Sequence, residues 1–444
     1  MTATDTRATA APRREAAAPP RTSVLRTELR RGIGPWSGAA VAVTTLVTMY
    51  AKAPGWQSRW TDTTDMLHIV TGLLVGPLVL ALGCWQGGRD RRSGTLELLS
   101  SVPRSPLRRA FLAVAPTALW PVAGYLSAAA VCLLATWPYV GGGPRPFLEL
   151  VAADAVTLAA LGTLGHLVGR LVRWRLTAPL LAVCGYVVFG AASRTYTIGF
   201  WLNPAVEHFY VWDRPVWWFA PAWTLWSAGL ALAALLAYAA GTARLRLLAL
   251  LPLAAAVAAA VPIVRLPIDG PWRPDPAAAR LVCDEGTPQV CMPDVDRALL
   301  PDISRALAPF NERLRGLPGA PARWVGGPGA LGPGDTTLPN PDLDAVRGEL
   351  SRPDLYLNSA VQHLFSETCL SEDFSGPGVE RLGEVHLAVS EWLAPTPENY
   401  GIPLGPAGQR YLDALHAKSP AAQRDYLARY MAADGCRPEE VPIP

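Results

Sequence analysis

Lysine is nearly absent from this sequence of 444 residues, since only two of its 39 basic residues are lysines, Lys52 and Lys418. A nucleotide-binding P-loop needs the pattern G-x-x-x-x-G-K-[ST], in which glycine precedes the lysine. Both lysines follow alanine instead. The chain therefore lacks a P-loop, and we expect no ATP hydrolysis by this route. The preference for arginine over lysine is typical of GC-rich bacterial coding.

Charged residues are also scarce, at 17% of the chain against 50% hydrophobic residues. This balance excludes an intrinsically disordered protein, which combines low hydrophobicity with high charge. The catalytic motifs H-E-x-x-H, G-x-S-x-G and S-x-x-K are all missing. We therefore expect that the chain is not an enzyme and that it holds neither a cofactor nor a metal ion.

The small net charge of +3 conceals a strong asymmetry along the chain. Residues 1–264 carry a net charge of +12, whereas residues 265–444 carry −9. Such a division indicates two different environments. Long apolar runs separate the arginines of the first part, so the lipid bilayer rather than nucleic acid is its expected partner.

Long apolar runs are the most prominent positive feature. A helix needs about 20 mostly apolar residues to cross the hydrocarbon core of a membrane. Seven segments approach this length, and they lie near residues 34–51, 65–86, 107–137, 147–169, 176–193, 217–241 and 247–264. We expect about six or seven transmembrane helices, because the last segment is dominated by alanine.

The distribution of basic residues between the loops predicts the orientation of these helices. Successive loops fall alternately on the two sides of the membrane. The loops of one side contain fourteen arginines, and those of the other side contain four arginines and one lysine. Basic loops face the cytoplasm. The chain is thus predicted to be a multi-pass protein of the bacterial cell membrane with a cytoplasmic N-terminus, and seven crossings leave its C-terminal region outside.

The predicted fold class is an α-helical polytopic membrane protein with a mostly helical α+β extracytoplasmic domain. Short strands are expected at 280–283, 289–292 and 323–325 within that domain. The predicted regions are a disordered cytoplasmic arm at 1–24, a transmembrane domain at 25–264, a proline-rich linker at 265–276 and the extracytoplasmic domain at 277–444.

Four of the seven cysteines lie in the C-terminal region, and they are Cys283, Cys291, Cys369 and Cys436. An even number in an exported domain suits disulfide formation. The short spacing between Cys283 and Cys291 resembles a hairpin that bridges its own strands, which leaves Cys369 to pair with Cys436. Four free buried thiols are the alternative.

Two acidic residues occur in the fourth apolar segment. Asp154 lies within it and Glu149 lies near its outer end. An acidic side chain inside the membrane is energetically costly and indicates a functional site. The two residues therefore form a possible intramembrane polar site with a role in substrate handling or gating. The alternative is that Asp154 is wetted or paired with Arg145 or Arg194.

The segment between the second and third apolar runs reads G-R-D-R-R-S-G-T-L-E-L-L-S-S-V-P-R-S-P-L-R-R over residues 88–109. Gly94 permits a sharp break, and a short amphipathic helix is predicted between it and Pro103. Ser105 is a suitable N-cap for the next helix, with Pro106 at its first position. A short amphipathic helix at the membrane surface can rest on lipid or insert into a cleft of a partner.

This segment resembles the first cytoplasmic loop of the type-2 ATP-binding-cassette (ABC) transporter permeases. The residues that match the family's pattern are Asp90, Gly94, Thr95, Leu96, Glu97, Leu98, Leu99, Pro103 and Ser105. The resemblance implies that this loop contacts a separate ABC ATPase subunit and couples it to the membrane helices. It also implies a homodimer or heterodimer of permeases that exports a substrate. The seventh apolar segment and the large C-terminal region depart from the family's usual six spans.

The sequence also allows a second interpretation. The C-terminal region is long enough to bury a core of its own, so the chain can also be a membrane-anchored extracytoplasmic enzyme or sensor that acts at the cell envelope. Seven helices are many more than an anchor requires, which favours the permease.

Overall fold

The protein is described as a computed structural model. The residues that it describes are 29, 33–93, 105–143, 145–192, 194, 199–206, 208, 210–267, 270–341, 344–366, 377–396, 403–433 and 437–444. Within them the fold is mainly helical, with a bundle of apolar helices followed by a smaller α+β region.

In the part of the chain that the structure describes, the N-terminal bundle contains seven long apolar helices and two short ones. In chain order they are α1 (Gly34–Ala51), α2 (Trp60–Gly87), α3 (Arg89–Arg92), α4 (Pro106–Thr136), α5 (Leu148–Leu171), α6 (Thr177–Ala192), α7 (Phe219–Ala239), α8 (Ala243–Leu247) and α9 (Leu250–Val264). The Ser105 hydroxyl accepts the backbone N–H of Arg108, so the predicted N-cap of α4 is present.

Among the described residues, five segments are long and apolar enough to cross a membrane, namely α2, α4, α5, α7 and the α8–α9 pair. The helix α6 is apolar but has only 16 residues, and α1 is not among these five. The sequence-based expectation of a helical membrane protein is thereby confirmed in its coarse form. The exact number of crossings stays a prediction.

Glycines bring α2 and α5 into close parallel contact. A Cβ atom on Gly165 would lie 2.2 Å from the carbonyl oxygen of Leu80, and one on Gly169 would lie 2.0 Å from that of Cys84. No side chain fits at these distances, so the two backbones approach as small-residue faces permit in membrane helices. A movement of α2 must therefore displace α5 as well.

The two ends of the bundle differ in what they contact. We call one the domain end, which carries residues 52–59 and 137–147 and touches the C-terminal region. The opposite end carries residues 88–93 and 172–176. At the domain end, strand β1 (Asp213–Pro215) pairs antiparallel with β2 (Trp272–Pro274). This pairing joins the segment that precedes α7 to the segment that follows α9.

The C-terminal region contains a mixed four-stranded sheet, a small hairpin and helices. Its elements are β3 (Leu281–Cys283), β4 (Gln289–Pro293), α10 (Leu300–Leu314), β5 (Arg323–Val325), β6 (Asp335–Thr337), β7 (Ala345–Val346), β8 (Glu349–Leu350), α11 (Pro353–Ser366), α12 (Pro377–Leu393), α13 (Pro406–Ala417) and α14 (Pro420–Ala432). The sheet order is β3-β4-β5-β6, with the first pair antiparallel and the others parallel. Strands β3, β4 and β5 lie where the sequence predicts strands.

This region has a hydrophobic core separate from the bundle. Trp324 of β5 and Phe310 of α10 pack in its centre, and Val389 of α12 and Tyr426 of α14 close it from the helical side. All four side chains are almost fully buried. The C-terminal region is therefore built as a compact α+β unit.

The disulfide between Cys283 and Cys291 is present and joins directly opposed residues of β3 and β4. It confirms the predicted hairpin bridge. Cys369 and Cys436 lie outside the described residues, so their pairing stays a prediction.

Removing this disulfide should weaken the C-terminal region by about 2–3 kcal/mol, because a bridge across eight residues restricts the unfolded chain. The test compares the double variant Cys283→Ser, Cys291→Ser with the wild type by thermal unfolding in detergent. The control is Cys184→Ser, which changes an exposed free thiol. Equal melting temperatures for all three proteins would contradict the prediction.

Candidate functional site

Three polar side chains from three helices meet inside the bundle. His68 of α2 places its Nδ1 atom 2.6 Å from Oδ1 of Asp154 on α5. The Tyr125 hydroxyl of α4 donates to Oδ2 of the same carboxylate at 3.1 Å. We call this group the polar cluster. Asp154 is 1% exposed, Tyr125 is fully buried and His68 is 9% exposed, so water has little access to the carboxylate.

The helix α7 covers the polar cluster from another side. The ring of Trp223 lies edge-on to His68, with 6.2 Å between the ring centroids. Its indole N–H donates to the Thr157 hydroxyl, which in turn shares a hydrogen bond with Ser227. Hydrogen bonds thus join α7 to α5 beside the polar cluster.

The backbone of α2 departs from regular α-helix just C-terminal to His68 of the polar cluster. Residues 71–75 form one π-helical turn, which begins three residues after His68. Gly72 lies in this turn, and a Cβ atom there would be 1.9 Å from the carbonyl oxygen of Pro204. The chain between α6 and α7 therefore reaches into the bundle at this level. Single π turns within α-helices occur frequently at functional sites.

The chemistry of the polar cluster follows from its burial. An isolated carboxylate in an apolar interior is very costly, and hydrogen bonds and a cationic partner offset this cost. The His68 imidazole and the Asp154 carboxylate can share a proton at Oδ1. The Tyr125 hydroxyl stabilises the other carboxylate oxygen, Oδ2, by donating a hydrogen bond to it. This arrangement ties α2, α4 and α5 together, and separating these helices requires the Asp154 carboxylate to find other partners.

The structure corrects one expectation about Asp154. Its partners are His68 and Tyr125, and neither Arg145 nor Arg194 reaches it, because both arginines are exposed at the domain end. Glu149 is also exposed, in the first turn of α5. The position favours an acidic residue because helix N-termini attract negative charge. Glu149 therefore does not join the polar cluster.

Sequence reasoning missed His68 and Tyr125. His68 stands in the apolar run L-H-I-V-T-G-L-L-V, and an ionisable residue at such a place is a signal in its own right. Tyr125 gives no comparable signal, since aromatic residues are ordinary in apolar helices.

Most residues of the predicted ATPase-coupling segment lie outside the described part of the chain. These are Gly94, Thr95, Leu96, Glu97, Leu98, Leu99 and Pro103. Asp90 belongs to α3, at the start of the segment.

Near the start of that segment, an arginine attaches α3 to the end of α5. The Arg91 guanidinium donates to the carbonyl oxygen of Val172 at 3.0 Å and also to that of Arg170. Guanidinium donors in a fixed fork suit two adjacent acceptors. The chain that enters residues 94–104 is thus attached to both α2 and α5, the helices that carry His68 and Asp154.

A buried ion pair joins the bundle to the C-terminal region at the domain end. Arg59, directly before α2, donates to Asp296 and also to Asp62, the latter at 2.9 Å. Arg59 is 2% exposed and Asp296 is 1% exposed. The β7–β8 turn adds a backbone hydrogen bond of 2.6 Å from Arg347 to the carbonyl of Gln57. The C-terminal region is therefore locked to the beginning of α2.

Among the residues that the structure describes, no three His, Cys, Asp or Glu side chains are grouped so that they could hold a metal ion. Comparisons with known proteins give no matching family model, no similar curated protein and no similar solved structure.

Proposed function

We propose that the protein is the membrane-spanning permease subunit of an ABC-type exporter, driven by a separate ATPase that binds the loop of residues 88–109. The observation that carries this proposal is the attachment of that loop to α2 and α5, the helices joined by the buried His68–Asp154 pair. The resemblance of the loop to type-2 ABC permeases supplies the identity of the partner.

The proposed mechanism transmits force through the parallel α2–α5 pair. The ATPase moves the loop, and Arg91 transmits this displacement to the end of α5. Because α2 and α5 are in close backbone contact at Gly165 and Gly169, α2 moves together with α5. The polar cluster then holds one arrangement of the helices until the displacement separates His68 from Asp154. Packed interfaces act as two-state elements of this kind because they do not deform continuously.

The proposed orientation places the opposite end of the bundle in the cytoplasm and the C-terminal region outside. Two observations support it. The loops of the opposite end contain most of the arginines, as cytoplasmic loops do. The Cys283–Cys291 disulfide suits an oxidising compartment. The expected assembly is a homodimer or heterodimer of permeases with its ATPase.

A membrane-anchored extracytoplasmic sensor or enzyme is the second candidate, and the buried Arg59–Asp296 pair favours the sensor form. It connects the C-terminal region rigidly to α2, so a ligand on that region can shift the helix that carries His68. An anchor alone needs no such connection. In this alternative no ATPase binds residues 88–109.

Glu97→Lys should abolish stable binding of the ATPase. A buried charge pair that loses one partner costs about 2–5 kcal/mol, and charge reversal adds repulsion. The experiment purifies the tagged chain from its native host, then measures co-purification of an ABC ATPase and the ATP hydrolysis that the chain stimulates.

The matched control is Glu285→Lys, the same charge reversal at an exposed residue of the C-terminal region. It should leave both measurements unchanged. If Glu97→Lys also leaves them unchanged at normal membrane levels, the coupling role of this loop is rejected and the sensor becomes the better interpretation.

A further inference from the structure

A cleft rich in arginine opens at the opposite end of the bundle, between α2, α5 and the start of α6. Its walls include four arginines and two tryptophans, namely Arg91, Arg92, Arg173, Arg175, Trp85 and Trp174. No carboxylate lines it among the side chains that the structure describes there. The cleft is thus a concentrated positive charge without an anionic counterpart in its walls.

The arginines in this cleft are held close together despite their mutual repulsion. The guanidinium of Arg92 lies over the ring of Trp85, 4.2 Å from the ring centroid. Burial lowers the pKa of Arg92, and the positive charge of Arg175 lowers it further. Arg91 is fixed by the carbonyl oxygens at the end of α5. A bound anion would relieve the repulsion between Arg92 and Arg175.

Exposed apolar side chains adjoin the arginines of the cleft. Val172 lines the cleft and is 42% exposed, and Leu171 next to it is 67% exposed. We call these two residues the apolar rim. Exposed apolar surface on a protein often marks a site of contact with a membrane.

The two exposed tryptophans place the cleft at a membrane boundary. Trp85 is 45% exposed and Trp174 is 59% exposed. Tryptophan concentrates where hydrocarbon meets the headgroup region. The arginines therefore lie at the depth of lipid phosphates, where the apolar rim can contact the upper part of an acyl chain.

We infer that this cleft binds one anionic phospholipid, with the phosphate among the arginines and an acyl chain against the apolar rim. Guanidinium groups bind phosphate through paired N–H donors, and basic pockets between membrane helices are known to take acidic headgroups. The inference concerns lipid recognition and does not depend on the proposed permease function.

The test uses the full chain, purified in detergent and stripped of lipid. Native mass spectrometry measures the binding of phosphatidylglycerol, phosphatidylcholine and inorganic phosphate, each added alone and in competition. We expect phosphatidylglycerol to bind with clear preference over phosphatidylcholine. Inorganic phosphate should compete only at much higher concentration, because it makes no apolar contact with the rim.

The double variant Arg173→Ala, Arg175→Ala should weaken phosphatidylglycerol binding about thirtyfold, which corresponds to about 1 kcal/mol for each arginine near a membrane surface. Both residues are exposed, so the change should not disturb folding. Arg173→Lys with Arg175→Lys retains the charge and should stay within about threefold of the wild type. Arg244→Ala with Arg246→Ala is the control, since it removes two exposed arginines from the same end of the bundle.

Three results would overturn the inference. Equal losses in the Arg173/Arg175 and Arg244/Arg246 variants would mean that only the general charge of this end attracts lipid. Competition by inorganic phosphate as strong as that by phosphatidylglycerol would define a small-anion site. Unchanged lipid binding together with loss of the ATPase in the Arg173/Arg175 variant would assign the cleft to a protein partner.

Discussion

Replacing Arg59 by alanine should destabilise the protein by about 3–5 kcal/mol, the usual cost of removing one partner from a buried ion pair. Asp296 would be left almost fully buried without its cation. Thermal unfolding in detergent and limited proteolysis of the C-terminal region would measure the loss. The control is Arg437→Ala, which breaks the exposed Arg437–Glu440 pair and should cost less than about 1 kcal/mol.

The loss in Arg59→Ala should also depend on pH. Burial raises the pKa of Asp296 above its ordinary value, and Arg59 opposes this rise. A carboxyl group whose pKa is higher in the folded than in the unfolded protein loses stabilising effect as the pH rises between the two values. Without Arg59 the pKa of Asp296 rises further, so the variant should lose more stability at neutral pH than at pH 4. A loss that is the same at both pH values would contradict the buried-charge explanation.

Asp154→Leu should be the most damaging substitution within the bundle, with a loss of about 2–4 kcal/mol. It leaves His68 and the Tyr125 hydroxyl without their shared acceptor, and each buried polar group without a partner costs about 1–3 kcal/mol. Unfolding in mixed detergent micelles measures the loss. If the chain is a permease, the same variant should also lose ATP-driven transport, because the helices no longer have a defined resting arrangement.

Glu149→Leu is the matched control, since it removes an acidic residue from the same helix five positions earlier. Glu149 is exposed, so its replacement should change stability by no more than about 0.5 kcal/mol. Asp154→Asn retains size and one acceptor oxygen and should fall between the two. If Asp154→Leu behaves like Glu149→Leu, the polar cluster does not hold the helices together.

The sequence predicts local features of this fold because their signals are local. Apolar run length predicts the membrane helices, and Ser105-Pro106 predicts the start of α4. The eight-residue spacing of Cys283 and Cys291 predicts the bridged hairpin, since both strands lie within one short segment. Each of these features depends on residues that are neighbours along the chain.

The polar cluster and the domain junction were beyond such reasoning. His68 and Asp154 are separated by 86 positions, and Arg59 and Asp296 by 237. Which residues meet across helices depends on the rotation of each helix, and in this bundle backbone contacts at glycine determine that rotation. The depth of Asp154 in an apolar segment is visible in the sequence, and charge alone suggests an arginine as its partner. The packing of the helices places His68 beside it instead.

The most direct test of the proposed function is site-specific photo-crosslinking of the loop. A photo-crosslinking amino acid replaces Leu98, and in a second protein it replaces Leu331, which is 48% exposed in the C-terminal region. We expect a light-dependent adduct with an ABC ATPase from position 98 and none from position 331. An ATPase adduct from position 331 but not from position 98, or no ATPase adduct from either position in cells of the native host, would contradict the proposed function.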